Sequence, residues 1–218
     1  MSIRAVLFDL DGTLLDTAKD LGNALNHVLE YHGLPICTLE QYRSTASHGS
    51  KRMLELGFGE RFSEFDFEQL KTQFLDHYEN NICRDTELFP GTEEMLMSLN
   101  ELGISWGIVT NKPAYLTERL LPYFNAFNQC KVVVSGDTLE KAKPHPEPLL
   151  HAAQHIDEEP QYIVYVGDAE RDIIAAKAAN MKSVLANYGY ISEHDKPEQW
   201  QADIHIDHAL ELLAHLRS

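Results

Sequence analysis

Apolar residues along this chain gather in short runs separated by longer stretches with a helical rhythm. Ile3–Phe8 (IRAVLF) is a brief apolar run that stops at a charged turn, as a buried parallel strand does. Runs of the same kind recur at Ile104–Val109, Lys131–Ser135, Tyr162–Val166, Ser183–Ala186 and Asp203–Ile206. Between them the apolar positions fall on one helix face. Glu93–Leu102 places Met95, Leu96, Leu99 and Leu102 together, and Gly103 terminates it. Tyr115–Leu121, Pro148–Ile156, Asp172–Ala179 and His208–Leu216 read likewise. Alternation of strand and helix predicts an α/β fold, a parallel sheet covered on both faces.

One stretch, from about Asp16 to about Arg84, breaks the alternation and holds no convincing strand. Thr17–Tyr31 is amphipathic, with Leu21, Leu25, Val28 and Leu29 on one side and Gly33 just beyond. Leu39–Thr45, Ser50–Leu56 and Phe65–Asn80 continue the helical pattern. The expectation is an all-helical block spliced in after the first strand.

Length permits this: 218 residues are enough for one domain carrying an insertion, at roughly 100–200 residues per domain. Charge narrows the partners. Acidic residues number 34 and basic residues 18, a formal net charge of −16. Such a surface is unsuited to a nucleic-acid backbone or an anionic membrane, both of which need Lys and Arg. A small anionic substrate is still allowed where a site is locally positive or metal-loaded. No apolar run reaches the length of a membrane span. Cys37, Cys83 and Cys130 are odd in number and far apart, so they are expected to be free thiols in a reducing compartment. Met1-Ser2-Ile3-Arg4 lacks signal-peptide anatomy, and the expected location is the cytoplasm.

The chemistry gathers where predicted strands end, which is where ligands bind in open α/β sheets. The first strand runs into Asp9-Leu10-Asp11-Gly12-Thr13, and a later one into Gly167-Asp168-Ala169-Glu170-Arg171-Asp172. Acids at two strand ends can share a hard cation such as Mg²⁺, which prefers oxygen ligands. Without one, carboxylates this close repel, and one holds its proton. Glu170 is equally well explained as a helix-start acid. Ile104–Val109 ends in Thr110-Asn111-Lys112-Pro113, whose hydroxyl, amide and backbone N–H groups suit phosphate oxygens. Lys143 lies in a stiff, proline-spaced stretch, Lys141–Pro148, and can neutralise a phosphoryl group as a point charge. His151 and His155 are four apart on a predicted helix, but residue 152 is Ala, so no HExxH zinc site is formed.

Taken in order, Asp9-Leu10-Asp11-Gly12-Thr13, Thr110-Asn111, Lys143-Pro144 and Gly167-Asp168 with Asp172 resemble the four motifs of the haloacid dehalogenase (HAD) superfamily phosphatases, over essentially the whole chain. The resemblance implies a Rossmann-like core of residues 1–15 and 85–218 with an inserted α-helical cap of residues 16–84. It implies Asp9 as nucleophile and Asp11 as general acid and base. Thr110, the Asn111 backbone and Lys143 would hold the transferring oxygens. Mg²⁺ would be ligated by Asp9, the Asp11 carbonyl, Asp168 and Asp172, the last directly or through water. Dehalogenases of the superfamily lack the second aspartate, so Asp11 argues for phosphoryl transfer; a hexose phosphomutase keeps the same motifs and stays open as an alternative.

Substrate choice is expected from the cap. Ser47-His48-Gly49-Ser50-Lys51-Arg52 lies between two helical patterns, and His48, Arg52 and, in the core, Gly12 are candidate substrate contacts. The same basic residues also read as a solvated helix start. Trp106–Pro113 resembles the phosphoglycolate phosphatase group. Tyr188-Gly189-Tyr190-Ile191 with Trp200–Asp203 resembles the bacterial N-acetylmuramic acid 6-phosphate phosphatases. Both imply a small carboxylated phosphomonoester as substrate; the chain is expected to be a monomer or homodimer, and no sequence feature decides between them. The Tyr188–Tyr190 turn reads either as part of the site or as a plain strand-end turn.

Overall fold

Ala5–Phe8 (β1) is buried at every position and has a partner on each side, which makes it the centre of the sheet. In the computed structural model, which describes residues 3–216, six parallel strands pair in the order β5-β4-β1-β6-β7-β8. They are β1, Ser105–Val109 (β4), Val133–Val134 (β5), Ile163–Gly167 (β6), Lys182–Ala186 (β7) and Ile204–Ile206 (β8). The chain leaves this unit through Leu15–Asp16 (β2) and returns through Glu87–Leu88 (β3), each a two-residue strand. After β1 and β4 the order turns outward to β5, then restarts on the other side of β1 at β6. That reversal leaves a crevice at the carboxyl ends of β1, β4 and β6. Phe8 stands opposite Ile108 on one side and Val166 on the other, so these strands end at one level.

The sheet-bearing unit comprises Met1–Leu15 and Leu88–Ser218. Its helices are Thr92–Glu101 (α5), Ala114–Leu120 (α6), Glu147–Ile156 (α7), Glu170–Ala178 (α8), Pro197–Trp200 (α9) and Leu212–Leu216 (α10). Apolar side chains of β1, β6, α7 and α8, among them Leu7, Leu149, Ile163, Ala175 and Ala176, form one buried cluster. Trp106 is fully buried on β4, and its indole N–H donates to Asn100 Oδ1 at 2.9 Å. Such a donor is rarely left without an acceptor when buried.

Two expected elements are shorter than their apolar pattern. Lys131–Ser135 yields only Val133–Val134, although Lys131 N–H still bonds Trp106 and Ile108 N–H bonds the Val132 carbonyl. As the outermost strand it has one partner and little to hold its ends. His208–Leu216 splits into a tight turn of 3₁₀ helix, Ala209–Glu211, and the short α10. His208 Nδ1 accepts from Leu210 N–H and fixes that turn. His151 and His155 stack within α7, and the His155 ring bonds the His151 carbonyl at 2.9 Å, an intrahelical contact.

The second unit spans Asp16–Glu87 and is helical: Ala18–Tyr31 (α1), Leu39–Tyr42 (α2), Gly49–Phe58 (α3) and Phe67–Asn80 (α4). Leu21, Leu25, Val28 and Leu29 of α1 are buried, as are Met53, Leu54 and Phe58 of α3 and Leu70, Phe74 and Tyr78 of α4. The segment Ser47–Arg52, expected between two helical patterns, is itself helical: Arg43–His48 are 3₁₀ helix, and Gly49–Arg52 form the first turn of α3. His48 precedes that turn, and Arg52 lies on its exposed side with its guanidinium 3.0 Å from Glu55.

A single buried carboxylate ties the returning chain to α1. Asp20 accepts from the backbone N–H groups of Arg84, Asp85 and Thr86 and from the Thr86 hydroxyl, the last at 2.6 Å. No side-chain cation is needed, because backbone donors surround the charge. Replacing Asp20 with Ala strands those donors and should cost on the order of 2–4 kcal/mol. A lower urea midpoint checks this, and Asp20→Asn, which keeps one acceptor, should lose less.

Candidate active site

The loop after β1 is shaped by its own backbone. Leu14 and Leu15 N–H groups return to the Leu10 carbonyl, and Gly12 N–H bonds the Leu15 carbonyl at 3.0 Å. Gly12 has φ +85°, and a Cβ there would lie 2.2 Å from the Asp168 carboxylate. Only glycine allows the loop both this turn and this approach. Asp9 is buried; its Oδ1 accepts from Leu10 N–H at 2.7 Å.

Lys143 enters the same point from the far side of the strand ends. Its ammonium lies 2.9 Å from Asp9 Oδ1, 2.9 Å from Asp172 Oδ1 and donates to Tyr165 Oη at 2.7 Å. The Tyr165 hydroxyl donates onward to the Val109 carbonyl, so a lone pair faces the lysine. The Asn111 side chain clamps the lysine backbone. Its Nδ2 donates to the Lys143 carbonyl at 2.9 Å and its Oδ1 accepts from Lys143 N–H at 3.1 Å.

Asp172 lies in the first turn of α8, where its Oδ2 accepts from Ala169 N–H at 3.0 Å. Asp168 follows β6, and its Oδ2 accepts from Tyr190 N–H at 2.9 Å. The Tyr188–Tyr190 turn therefore belongs to the site. A Cβ on Gly189 would meet the Asp168 Cβ at 2.3 Å and the Gly12 carbonyl at 2.4 Å, and Tyr188 Oη donates to the Thr13 carbonyl. Nothing in the pattern of the chain brings residues 188–190 to residue 168.

Asp9, Asp168 and Asp172 each offer a carboxylate oxygen, all within 4.8 Å of one another. Lys143 and the Arg171 guanidinium, 3.6 Å from Asp9 Oδ2, are the cations against them. Burial pushes the Asp9 carboxyl up, and the pull of Lys143 does not cancel it. Burial acts on Asp172 too, but Lys143 and Arg171 outweigh it and hold that carboxyl below its usual range. Asp168 is pushed up to about 7 by burial and by repulsion from Asp172 and Asp9. The cluster thus carries more negative charge than its own cations satisfy. Hard oxygen donors with surplus negative charge fit a divalent cation of the Mg²⁺ type.

The Asp11 carboxylate does not join the other three. It pairs with Lys112 Nζ at 3.0 Å, a partner that the sequence reading did not assign. Thr110 is buried beside this pair, its Oγ1 accepting from Lys112 N–H at 3.2 Å. Helix α6 does not offer its first N–H to a ligand, because Ala114 N–H bonds Asp137 Oδ1 at 2.8 Å. Of the core positions expected from the sequence, Asp9, Asp11, Gly12, Thr110, Asn111 and Asp168 lie on loops at the carboxyl ends of β1, β4 and β6, Lys143 on its own loop, and Asp172 in the first turn of α8. His48 and Arg52 are residues of the helical unit. Lys112, Tyr165 and Arg171 were given no role from the sequence, and of the two readings of the Tyr188–Tyr190 turn the structure takes the one beside Asp168. A tyrosine inside an apolar strand was the one available signal, and it points only to a buried hydroxyl.

Comparison with known proteins agrees with this geometry. Residues 6–186 match the family model of the haloacid dehalogenase-like hydrolases. A phosphoglycolate phosphatase of Xanthomonas campestris pv. campestris is 48% identical over 204 residues, covering 94% of this chain and 92% of its own. An N-acetylmuramic acid 6-phosphate phosphatase of Pseudomonas aeruginosa is 35% identical, covering 98% and 94%. The crystal structure of a predicted phosphoglycolate phosphatase from Haemophilus somnus superposes with a TM-score of 0.88 at 26% identity, covering 99% of this chain and 98% of that one. The chain belongs to the haloacid dehalogenase-like hydrolase family, as one of its phosphatases.

Proposed function

We propose that this phosphatase is Mg²⁺-dependent, works through an aspartyl-phosphate on Asp9, and hydrolyses a small carboxylated phosphomonoester, 2-phosphoglycolate or N-acetylmuramic acid 6-phosphate. The observation that carries the mechanism is the buried meeting of Asp9, Asp168 and Asp172 at the sheet's carboxyl edge, with Lys143 against Asp9 and Asp172. The substrate pair is supported by the two named relatives, each spanning nearly the whole chain.

In this mechanism an Asp9 oxygen bonds to phosphorus as the bond from phosphorus to the leaving oxygen breaks. Asp11 gives its proton to the departing alkoxide, then takes one from the water that opens the acyl phosphate, releasing phosphate and restoring Asp9. Lys143 neutralises charge on the transferring oxygens, and the Thr110 hydroxyl donates to one of them. Asn111 keeps Lys143 aimed by holding its backbone. Held by Asp9, Asp168, Asp172 and the Asp11 carbonyl, Mg²⁺ would supply charge neutralisation and orientation for the phosphoryl oxygens.

Phosphate release from a panel of 2-phosphoglycolate, N-acetylmuramic acid 6-phosphate and hexose phosphates tests the reading. One carboxylated substrate should dominate by kcat/KM; comparable rates on all would refute the narrow specificity, and interconversion of sugar 1- and 6-phosphates without net release would refute hydrolysis. Asp9→Asn should lower turnover by at least ~10³-fold with an unchanged circular dichroism spectrum. Chelation with EDTA should abolish activity, and added Mg²⁺ should restore it. Gly189→Ala drives a methyl group against Asp168 and the Gly12 carbonyl. Activity should fall on the order of a hundredfold, with the Mg²⁺ concentration for half-activation raised.

A further inference from the structure

Arg171 is the one charged group in the cluster with a buried donor, its Nε, that has no hydrogen-bond partner. Its side chain is mostly buried, with 19% exposed. Its Nε is buried without a hydrogen-bond partner, and its Nη2 meets Asp9 only at an ion-pair distance. The carboxylate it pairs with is Asp9, whose Oδ2 lies 3.6 Å from Nη2. The surrounding carboxylates are engaged elsewhere. Asp172 meets Lys143 and Ala169 N–H, Asp168 accepts from Tyr190 N–H, and Asp9 Oδ1 meets Leu10 N–H and Lys143. A buried guanidinium with unspent donors is costly unless a ligand completes it.

The position says which ligand. A phosphorus poised for attack stands about 3–3.5 Å from the nucleophilic carboxylate oxygen. A guanidinium 3.6 Å from that same carboxylate is within reach of the non-bridging oxygens. Its planar array of N–H groups suits two such oxygens, or one oxygen and a water, better than a single carboxylate edge-on.

We propose that Arg171 is a further phosphate-binding residue of this site, its guanidinium donating to a non-bridging oxygen of the phosphoryl group held beside Asp9. The assignment rests on the phosphatase reading above. It makes Arg171 the counterpart of Lys143: the lysine ammonium is tied to Asp9, Asp172 and Tyr165, while the guanidinium has donors to spare for the substrate. It also explains why a cation occupies this position of α8 beside carboxylates that it does not hydrogen-bond.

Orthophosphate binding to the Mg²⁺-loaded protein, measured by calorimetry, is the test, with Mg²⁺ affinity measured alongside. Arg171→Met should weaken orthophosphate binding at least ~tenfold while leaving Mg²⁺ binding no weaker, since a cation beside the carboxylates has been removed. Arg171→Lys, which keeps charge but loses the planar fork, should fall between wild type and Met, and serves if the Met variant does not fold. In turnover, KM should rise more than kcat falls. Orthophosphate affinity within twofold of wild type in Arg171→Met, or in Arg171→Lys where the Met variant does not fold, would make Arg171 a counter-charge only and overturn the proposal. If wild-type protein neither binds orthophosphate nor releases it from any phosphomonoester, the phosphatase reading fails first.

Discussion

The Lys143 ammonium is withdrawn from solvent among Asp9, Asp172 and the Tyr165 hydroxyl, and the site is arranged around it. Carboxylates from two strand ends and a helix start cannot be buried together in a low-dielectric setting without such a cation. Lys143 in turn owes its place to the side chain of Asn111, which satisfies both its backbone N–H and its carbonyl. Two residues of two different loops thereby fix the geometry of three others. Tyr165 extends the arrangement into the sheet by linking the lysine to the last residue of β4.

Two buried aspartates show how this chain separates structure from chemistry. Asp20 is surrounded by backbone donors and a hydroxyl, and it serves to hold the helical unit together. Asp168 has one backbone donor and two carboxylate neighbours, and its carboxyl rises to about 7 through burial and their repulsion. Backbone donors stabilise the first carboxylate, while burial and carboxylate neighbours raise the pKa of the second. Close backbone approach makes the second condition possible. Gly12, Gly167 and Gly189 all lie where a Cβ would strike Asp168 or Asp172. Bare backbone at these glycines leaves the acids room to meet one another and Lys143.

The surface charge of −16 and the site have opposite requirements. A phosphomonoester must approach an acidic protein and then find positive potential at one point. Lys143, Arg171 and Lys112 are all drawn into the sheet's carboxyl edge, so the few cations that matter are concentrated there rather than spread over the surface.

Much of this was legible in the chain itself. Strand–helix alternation, the helical interruption after the first strand, and acids and a lysine at strand ends are all local patterns. A strand that stops at a charged turn announces its carboxyl end, and the sheet's parallel register then brings Asp9, Thr110 and Asp168 to one edge. What no local pattern could supply is which loops touch there. Lys112 meets Asp11 across a sequence separation of 101 residues, and Tyr190 N–H reaches Asp168 across 22. Arg171 looks like any surface arginine at a helix start until α8, packed on β6 and β7, brings it to Asp9. Edge strands and chain ends also departed from their pattern, because β5 has one partner and His208 forces a tighter turn than an α-helix. Periodicity records which residues are buried and in what element. The pairing of charges is a property of distance, and only the packed tertiary structure sets distances between residues far apart in sequence.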